Sequence, residues 1–370
     1  MFDLAVVGAG IVGLAHALAA ARRGLRVVVI DRDAQANGAS IRNFGLVVVS
    51  GQEPGPSRKR AERSREVWLE LSEQAGIGIL HTGKLVAAQR PEALDLLEAF
   101  HALPEADGCR MLTARETAAH QPGLDVSRLS GGFLSPFELR VESREALPKL
   151  TAFLAERHGV TFRFGVAVTA IAPPAIETSH GQIKARRIAV CPGDDLVSLY
   201  PERIRGYGVR RCKLQMLRLG PPRHRLRSAL VSDLSLLRYG GYAMLPQATT
   251  LRDRLEREAA PALDNGVHLI VVQSQDGSLV IGDSHHYGPT PDPFASEDVD
   301  ALILAEFSRL FGGAVPPVVA RWTGTYASAS GHASFRDAPH DDVRVVMVTS
   351  GTGASTGFAI GEETISDLFG

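Results

Sequence analysis

The chain opens on a short apolar run, Leu4-Ala5-Val6-Val7, of the kind that fills a strand buried on both faces. Gly8-Ala9-Gly10-Ile11-Val12-Gly13 follows, then an alanine- and leucine-rich helical stretch to Arg23 that Gly24 ends. A second apolar run, Arg26-Val27-Val28-Val29-Ile30, stops at Asp31, 18 positions after Gly13. This order predicts a strand, a helix and a parallel strand. Further on, helical spacing runs from about Arg60 to Ala75, and alternation from Leu80 to Ala88 reads as a strand with one buried face. Pro91 to Leu103 reads as a helix with proline in its first turn, and Arg144 to His158 as another, stopped by Gly159. Strands are expected at Val160 to Phe164, Val166 to Ile171 and Arg187 to Cys191, the last ending at Pro192-Gly193. From Tyr207 to Tyr326 the chain is strand-rich, interrupted by a charged stretch, Leu251 to Glu258, that reads as a solvated helix. Val343 to Val348 is a last buried strand, and Ser350-Gly351-Thr352-Gly353-Ala354-Ser355-Thr356-Gly357-Phe358 turns it into a helix ending at Phe369. The fold class is α/β (α+β overall), a Rossmann-type domain interleaved with a mixed or antiparallel sheet.

The first unit has the parts a dinucleotide needs. Gly8 allows the tight turn, Gly10 lets backbone approach a pyrophosphate, and Gly13 lets helix and strand pack closely. The helix start offers free N–H groups to phosphate, and Asp31 can accept from ribose hydroxyls. An acid at that strand end serves FAD or NAD alike. The glycine-rich turn before the last helix would also present N–H groups to an anion or a polarised ring.

Composition narrows the field. Glycine is raised, at 37 of 370 residues. A net charge of −1 leaves no basic field for nucleic acid. Cys109, Cys191 and Cys212 are odd in number and have no C-x-x-C pairing, which argues against a zinc site or disulfide framework and fits a reducing cytoplasm. The uncharged run Ala5 to Ala21 is broken by glycines, with Asp3 before it and Arg22-Arg23 after it, so neither a signal peptide nor a membrane span is expected. No metal site is assigned, and nothing in the sequence sets an oligomeric state.

From Gly8 to Asn37-Gly38-Ala39-Ser40-Ile41-Arg42-Asn43-Phe44-Gly45, and again at the C-terminal turn, the chain resembles the D-amino-acid oxidase, glycine oxidase and sarcosine oxidase superfamily. The resemblance covers the whole chain. It implies FAD, with cofactor contacts at Gly8, Gly10, Ile11, Val12, Gly13, Asp31, Arg32 and Ser40. Arg42, Asn43 and Phe44 would lie by the flavin, Val168 would hold the adenine, and Gly193 would mark the return strand. Gly351, Gly353, Ala354, Ser355 and Thr356 would face the flavin's pyrimidine edge. It further implies a discontinuous FAD domain (1–75, 141–205 and 330–370) and a substrate domain (76–140 and 206–329). Some relatives attach flavin through a cysteine after a tryptophan-containing strand. Arg321-Trp322-Thr323-Gly324-Thr325-Tyr326 has none, so FAD is expected to be noncovalent. Relatives also use a lysine to activate oxygen in a segment like Ser278-Leu279-Val280-Ile281-Gly282, which has no lysine here; this leaves oxidase and dehydrogenase both open, with O2 the implied acceptor.

Ser40 to Gly45, Cys212 to Leu217, and Gly282-Asp283-Ser284-His285-His286-Tyr287-Gly288 look like a narrower bacterial subgroup associated with phosphonate catabolism. That resemblance implies oxidation of an aminophosphonate, such as 2-aminoethylphosphonate or its N-methyl form, to phosphonoacetaldehyde. Such an anion wants cationic partners. Candidates are Arg42, Lys213, Arg238, His285 and His286; the two histidines would face opposite ways on a strand, so one of them is expected in the pocket. Gln215, Tyr242, Trp322 and Tyr326 sit on strands that line the pocket in the superfamily. No side chain is assigned as a catalyst, because the flavin carries the chemistry. The alternatives are an oxidase or dehydrogenase of a small amino acid, and a flavin-containing subunit of a heteromeric or tRNA-modifying complex.

Overall fold

A computed structural model describes residues 1–370. Strand β1 (Phe2–Val7), helix α1 (Ile11–Arg22) and strand β2 (Val27–Asp31) form the expected unit, with β1 and β2 parallel and Leu4 opposite Val27. They belong to an eight-stranded sheet whose main order is Ser334–His340, Val343–Val348, Gly181–Val190, β1, β2, Thr161–Phe164. Its centre is parallel, and Ser334–His340 adds an antiparallel edge. Pieces from the start, middle and end of the chain therefore share one sheet.

Helix α1 has ten of its twelve residues buried, which explains its lack of a polar face. It lies against the C-terminal helix Gly353–Phe369 and the helix Ser143–His158. Small residues set the closeness: a Cβ on Gly361 would come within 2.8 Å of the Ala15 backbone. The helix Pro56–Gln74 covers the C-terminal helix in turn. Its Trp68 is fully buried, donates from Nε1 to the Ala354 carbonyl at 2.8 Å, and meets Phe358 edge-on at 5.1 Å. Arg60–Glu363 and Arg63–Glu362 bridge the same helices at the surface.

The second sheet has ten strands in mixed directions, with Ile79–Ala88 and Gly131–Val141 at one side and Arg210–Leu219 paired to Val318–Ser328 at the other. Gly131–Val141 sends Phe133 into this sheet's core and Leu139 and Val141 into the core around α1. The two layers are joined through that strand.

Three expectations shift. The second helix begins at Pro56, not near Arg60, because Gly55 at φ 87° and proline in the first turn start it earlier. The strand expected from Val166 starts at Val168, since Gly165 turns at φ 67° and the Val166 N–H is drawn to the Asp31 carbonyl. The charged helix, Gln247–Glu258, is solvated on one face only; Leu251 and Leu255 are fully buried against the helix Pro91–His101. No helix is long and apolar enough to cross a membrane.

Trp68→Ala should lower stability by about 3–5 kcal/mol, because it leaves a large cavity against Phe358 and removes the hydrogen bond to the Ala354 carbonyl. Trp68→Phe should cost about 1–3 kcal/mol for the lost hydrogen bond. Urea unfolding followed by circular dichroism checks both, and equal losses would contradict the division of labour between packing and hydrogen bond.

Candidate active site

One cavity of the molecule is lined by both ends of the chain and by the second sheet. On its β1 side Gly8 sits at φ 105°, and a Cβ there would overlap the Cys191 carbonyl. A Cβ on Gly13 would overlap the Gly8 carbonyl, and one on Gly10 would lie 3.0 Å from Ser40 Oγ. The α1 start has no side-chain cap. Ser40 Oγ accepts the Ile11 N–H at 2.9 Å, while Val12 and Gly13 have no helical carbonyl one turn back. The C-terminal helix is likewise uncapped and begins beside α1, with an ideal Cβ on Gly353 3.5 Å from Ile11 and 3.8 Å from Val12. Two positive helix ends thus face one space, which suits a diphosphate and an electron-rich ring.

Asp31 is set at the strand end, where Oδ2 accepts the Ala9 N–H at 2.6 Å and Oδ1 accepts the Asp33 N–H at 2.9 Å. Lone pairs remain on both oxygens for ribose hydroxyls. Arg32 pairs with Asp195 at 2.6 Å on the outside, and half-buried Val168 also lies off the enclosed cavity. Gly193 lines it. The groups present fit FAD: a backbone cradle closed to Cβ atoms, two uncapped helix starts, and a carboxylate at the second strand end.

Arg42, Asn43 and Phe44 all border the cavity. Arg42 donates to Asn37 Oδ1 at 3.2 Å, and its own carbonyl accepts from Trp322 Nε1 at 3.3 Å, so Trp322 braces this loop. Asn43 is a staple, donating to the Ala39 carbonyl at 2.7 Å and accepting from the Gly45 N–H and the Ser143 hydroxyl. Across the space, Gly351 turns at φ 73° beside Tyr326, and Ala354 presents its carbonyl to Trp68. Ser355 Oγ accepts the Val48 N–H at 2.9 Å, which ties the turn to the second sheet. Thr356 is buried away from the cavity, donating to the Thr352 carbonyl at 3.0 Å.

Arg238, His285 and Tyr326 reach the far wall. Arg238 lines the cavity while keeping exposed surface, and its Nη2 donates to the Tyr287 hydroxyl at 3.1 Å. His285 donates from Nδ1 to the Gly266 carbonyl at 3.0 Å. His286 turns the other way, to Asn265 Oδ1 at 3.1 Å, as strand alternation requires. Burial pushes the Tyr326 hydroxyl well above its ordinary range, so it stays protonated.

Besides His286 and Trp322, three further substrate candidates lie outside the cavity lining, Lys213, Gln215 and Tyr242. On Arg210–Leu219 it is Leu214 that faces the space, so Lys213 and Gln215 point the other way. Lys213 Nζ donates to the Phe294 carbonyl at 2.9 Å, while buried Gln215 donates to the Ser296 carbonyl at 2.6 Å and to Asp300. Tyr242 is buried one layer back, beside Phe100 and Lys84.

The cavity also holds groups with no sequence assignment. Asp283 and His268 line it beside His285, all three buried. Asp283 Oδ1 lies 2.9 Å from His268 Nε2, and Oδ2 lies 3.8 Å from His285 Nε2. The Ser235 hydroxyl lies 2.8 Å from His268 Nδ1. Burial pushes His285 down to about 3 and lowers His268 as well, so both imidazoles are neutral at neutral pH. Burial works against the Asp283 charge, but its polar surroundings, with Arg238 among them, hold the carboxyl below its usual range. Asp283 stands inside the Gly282 to Gly288 motif and was findable there. His268 leads an apolar run that hid it.

A family model described as FAD dependent oxidoreductase matches residues 3–366. No curated protein matches the chain by sequence. Among solved structures, glycine oxidase from Bacillus cereus ATCC 14579 is similar with a TM-score of 0.79 at 16% identity, covering 100% of this chain and 95% of that one. L-proline dehydrogenase from P. horikoshii gives 0.76 at 20% identity, covering 97% and 91%. L-alpha-glycerophosphate oxidase from Mycoplasma pneumoniae, solved with FAD bound, gives 0.75 at 16% identity, covering 99% and 94%.

Gly13→Ala should yield folded protein that purifies with less than a tenth of its flavin absorbance, because the added methyl overlaps the Gly8 carbonyl. Absorbance near 450 nm (on the order of the flavin band used to follow cofactors) against protein concentration reads the result. Full occupancy in the variant would contradict the cradle.

Proposed function

The chain belongs to the family of FAD-dependent oxidoreductases, and within it we propose that the enzyme oxidises a small anionic amine, an aminophosphonate such as 2-aminoethylphosphonate or its N-methyl derivative. The observation that carries this reading is Arg238, which together with Arg42 lines the cavity that both helix starts face. Bound FAD would supply a two-electron acceptor for oxidation of the carbon next to nitrogen. The chain's part is to bind and orient. Arg238, with Arg42 on the adjoining loop, holds the anionic end through charge-assisted hydrogen bonds of about 1.5–3 kcal/mol each. Tyr326 and Leu214 wall the space beside them and keep water from the reacting carbon. Water then hydrolyses the released imine to phosphonoacetaldehyde and ammonia or methylamine, and O2 takes the two electrons to give hydrogen peroxide.

Several features support the finer assignments. Residues 1–75, 141–205 and 330–370 would hold FAD, and 76–140 and 206–329 the substrate. The cofactor would be noncovalent, since the thiol of Cys191 beside the cavity is buried next to His16 and pushed up by that burial. Three buried free cysteines suit a reducing, cytoplasmic setting. The second reading is a small amino acid, because one guanidinium can grip a planar carboxylate at two points. A tetrahedral phosphonate instead draws on donors from several directions, and two arginines border the space.

Anaerobic mixing with 2-aminoethylphosphonate, N-methyl-2-aminoethylphosphonate, glycine and sarcosine separates the readings. The phosphonates should bleach the flavin, and Arg238→Met should raise the concentration needed by roughly 10-fold or more. Bleaching by the carboxylates alone would refute the phosphonate assignment.

A further inference from the structure

An amine with an anionic tail is a zwitterion near neutral pH, so a site that reads it needs an anionic element as well as a cationic one. Two carboxylates line the cavity with no arginine or lysine ion pair, exposed Glu53 and buried Asp283, and only the second is held inside the protein. Asp283 is 5% exposed and lines the space, yet its Oδ1 takes no aligned hydrogen bond from the protein. His268 Nε2 lies 2.9 Å away but off the line of donation, and His285 Nε2 stands 3.8 Å from Oδ2. Because His285 Nδ1 faces the Gly266 carbonyl, the Nε2 of its neutral ring is a lone-pair acceptor. Two acceptors, a carboxylate and an imidazole nitrogen, therefore face each other without a proton between them. Something that donates is missing from the arrangement.

We propose that Asp283, with His285 Nε2 beside it, forms the subsite for the substrate's cationic nitrogen, and that Arg238 reads the opposite, anionic end. This rests on the amine-oxidation reading above. An ammonium carries N–H donors directed tetrahedrally, so one can address Oδ2 while another addresses Nε2. The nitrogen is thereby fixed, and the carbon attached to it is turned in one direction only. His268 and Ser235 are positioning residues: the imidazole packs on His285 with ring centroids 5.1 Å apart and keeps the carboxylate from rotating.

The surroundings agree with a monovalent organic cation in preference to a metal. The charged and titratable groups facing Asp283 and His285 are His268, Arg238, Tyr239, Tyr326, Tyr287 and Cys212. Arg238 bears electrostatically on all three members of the cluster, and its positive charge opposes a divalent ion. The same charge is what the anionic tail of a zwitterion needs. Both histidines are held neutral, so the subsite keeps the single negative charge of Asp283.

The test uses the FAD-loaded enzyme, the amine that best bleaches its flavin, and ethylphosphonate or acetate as the matching anion without nitrogen. Asp283→Asn should raise KM for the amine roughly 10- to 100-fold. It should leave the affinity for the amine-free anion, read by flavin difference spectra, within about 2-fold. Asp283→Glu should recover part of the loss, and His285→Gln should raise KM in the same direction with retained flavin. Equal losses for amine and amine-free anion, or an unchanged KM in Asp283→Asn, would overturn the proposal. So would one divalent metal per chain in the purified enzyme that is lost in Asp283→Asn. Failure of the parent reading looks different: no amine bleaches the wild-type flavin, and both assignments then fall together.

Discussion

The close contact of α1 with the C-terminal helix is the constraint on which the site depends. It requires glycine at 361, where a side chain would strike the α1 backbone at Ala15. With any larger residue there the helices would separate, and their two uncapped starts would no longer meet over one space. The contact is also long-range in sequence, so the site forms only when the sheet has gathered the beginning, middle and end of the chain. Trp68 extends the same logic outward, because one side chain packs on the C-terminal helix and holds the carbonyl of its first turn.

The far wall is built on a different principle. The cradle is backbone, apolar packing and helix ends, whereas the wall opposite places an arginine, a buried carboxylate and two buried, neutral imidazoles in one layer. Burying charge is costly unless it is paired. Elsewhere in the second sheet the protein meets that requirement internally, as with Lys84 at 3.5 Å from Glu138 and Arg90 at 2.9 Å from Asp233. At Asp283 it does so incompletely, which leaves capacity for the positive end of a ligand whose negative end meets Arg238.

Legibility in the sequence followed the length scale of the cause. β1, α1, β2 and the last strand and helix were readable because their patterns are local and their glycines stand where backbone must approach backbone. Pro56 and Gly165 moved element edges through turn chemistry that apolar periodicity does not register. Leu251 and Leu255 show why a charged helix is not thereby a solvated one: two residues four apart bury a face that the surrounding charges obscure. Side-chain destinations on the long strand were harder. Whether Leu214 or its neighbours Lys213 and Gln215 face the cavity depends on strand register, which a one-residue change inverts. His268 and Asp283 meet across two strands, and no spacing in one chain segment announces a pair of that kind.

The central claim is that both ends of the chain close on one noncovalently held FAD. Acid precipitation of the purified protein, followed by quantitation and chromatographic identification of the flavin in the supernatant, tests it most directly. The account predicts that FAD is released, in a ratio near one per chain. Flavin retained in the pellet, release of FMN in place of FAD, or a colourless protein that takes up no FAD on titration would contradict it.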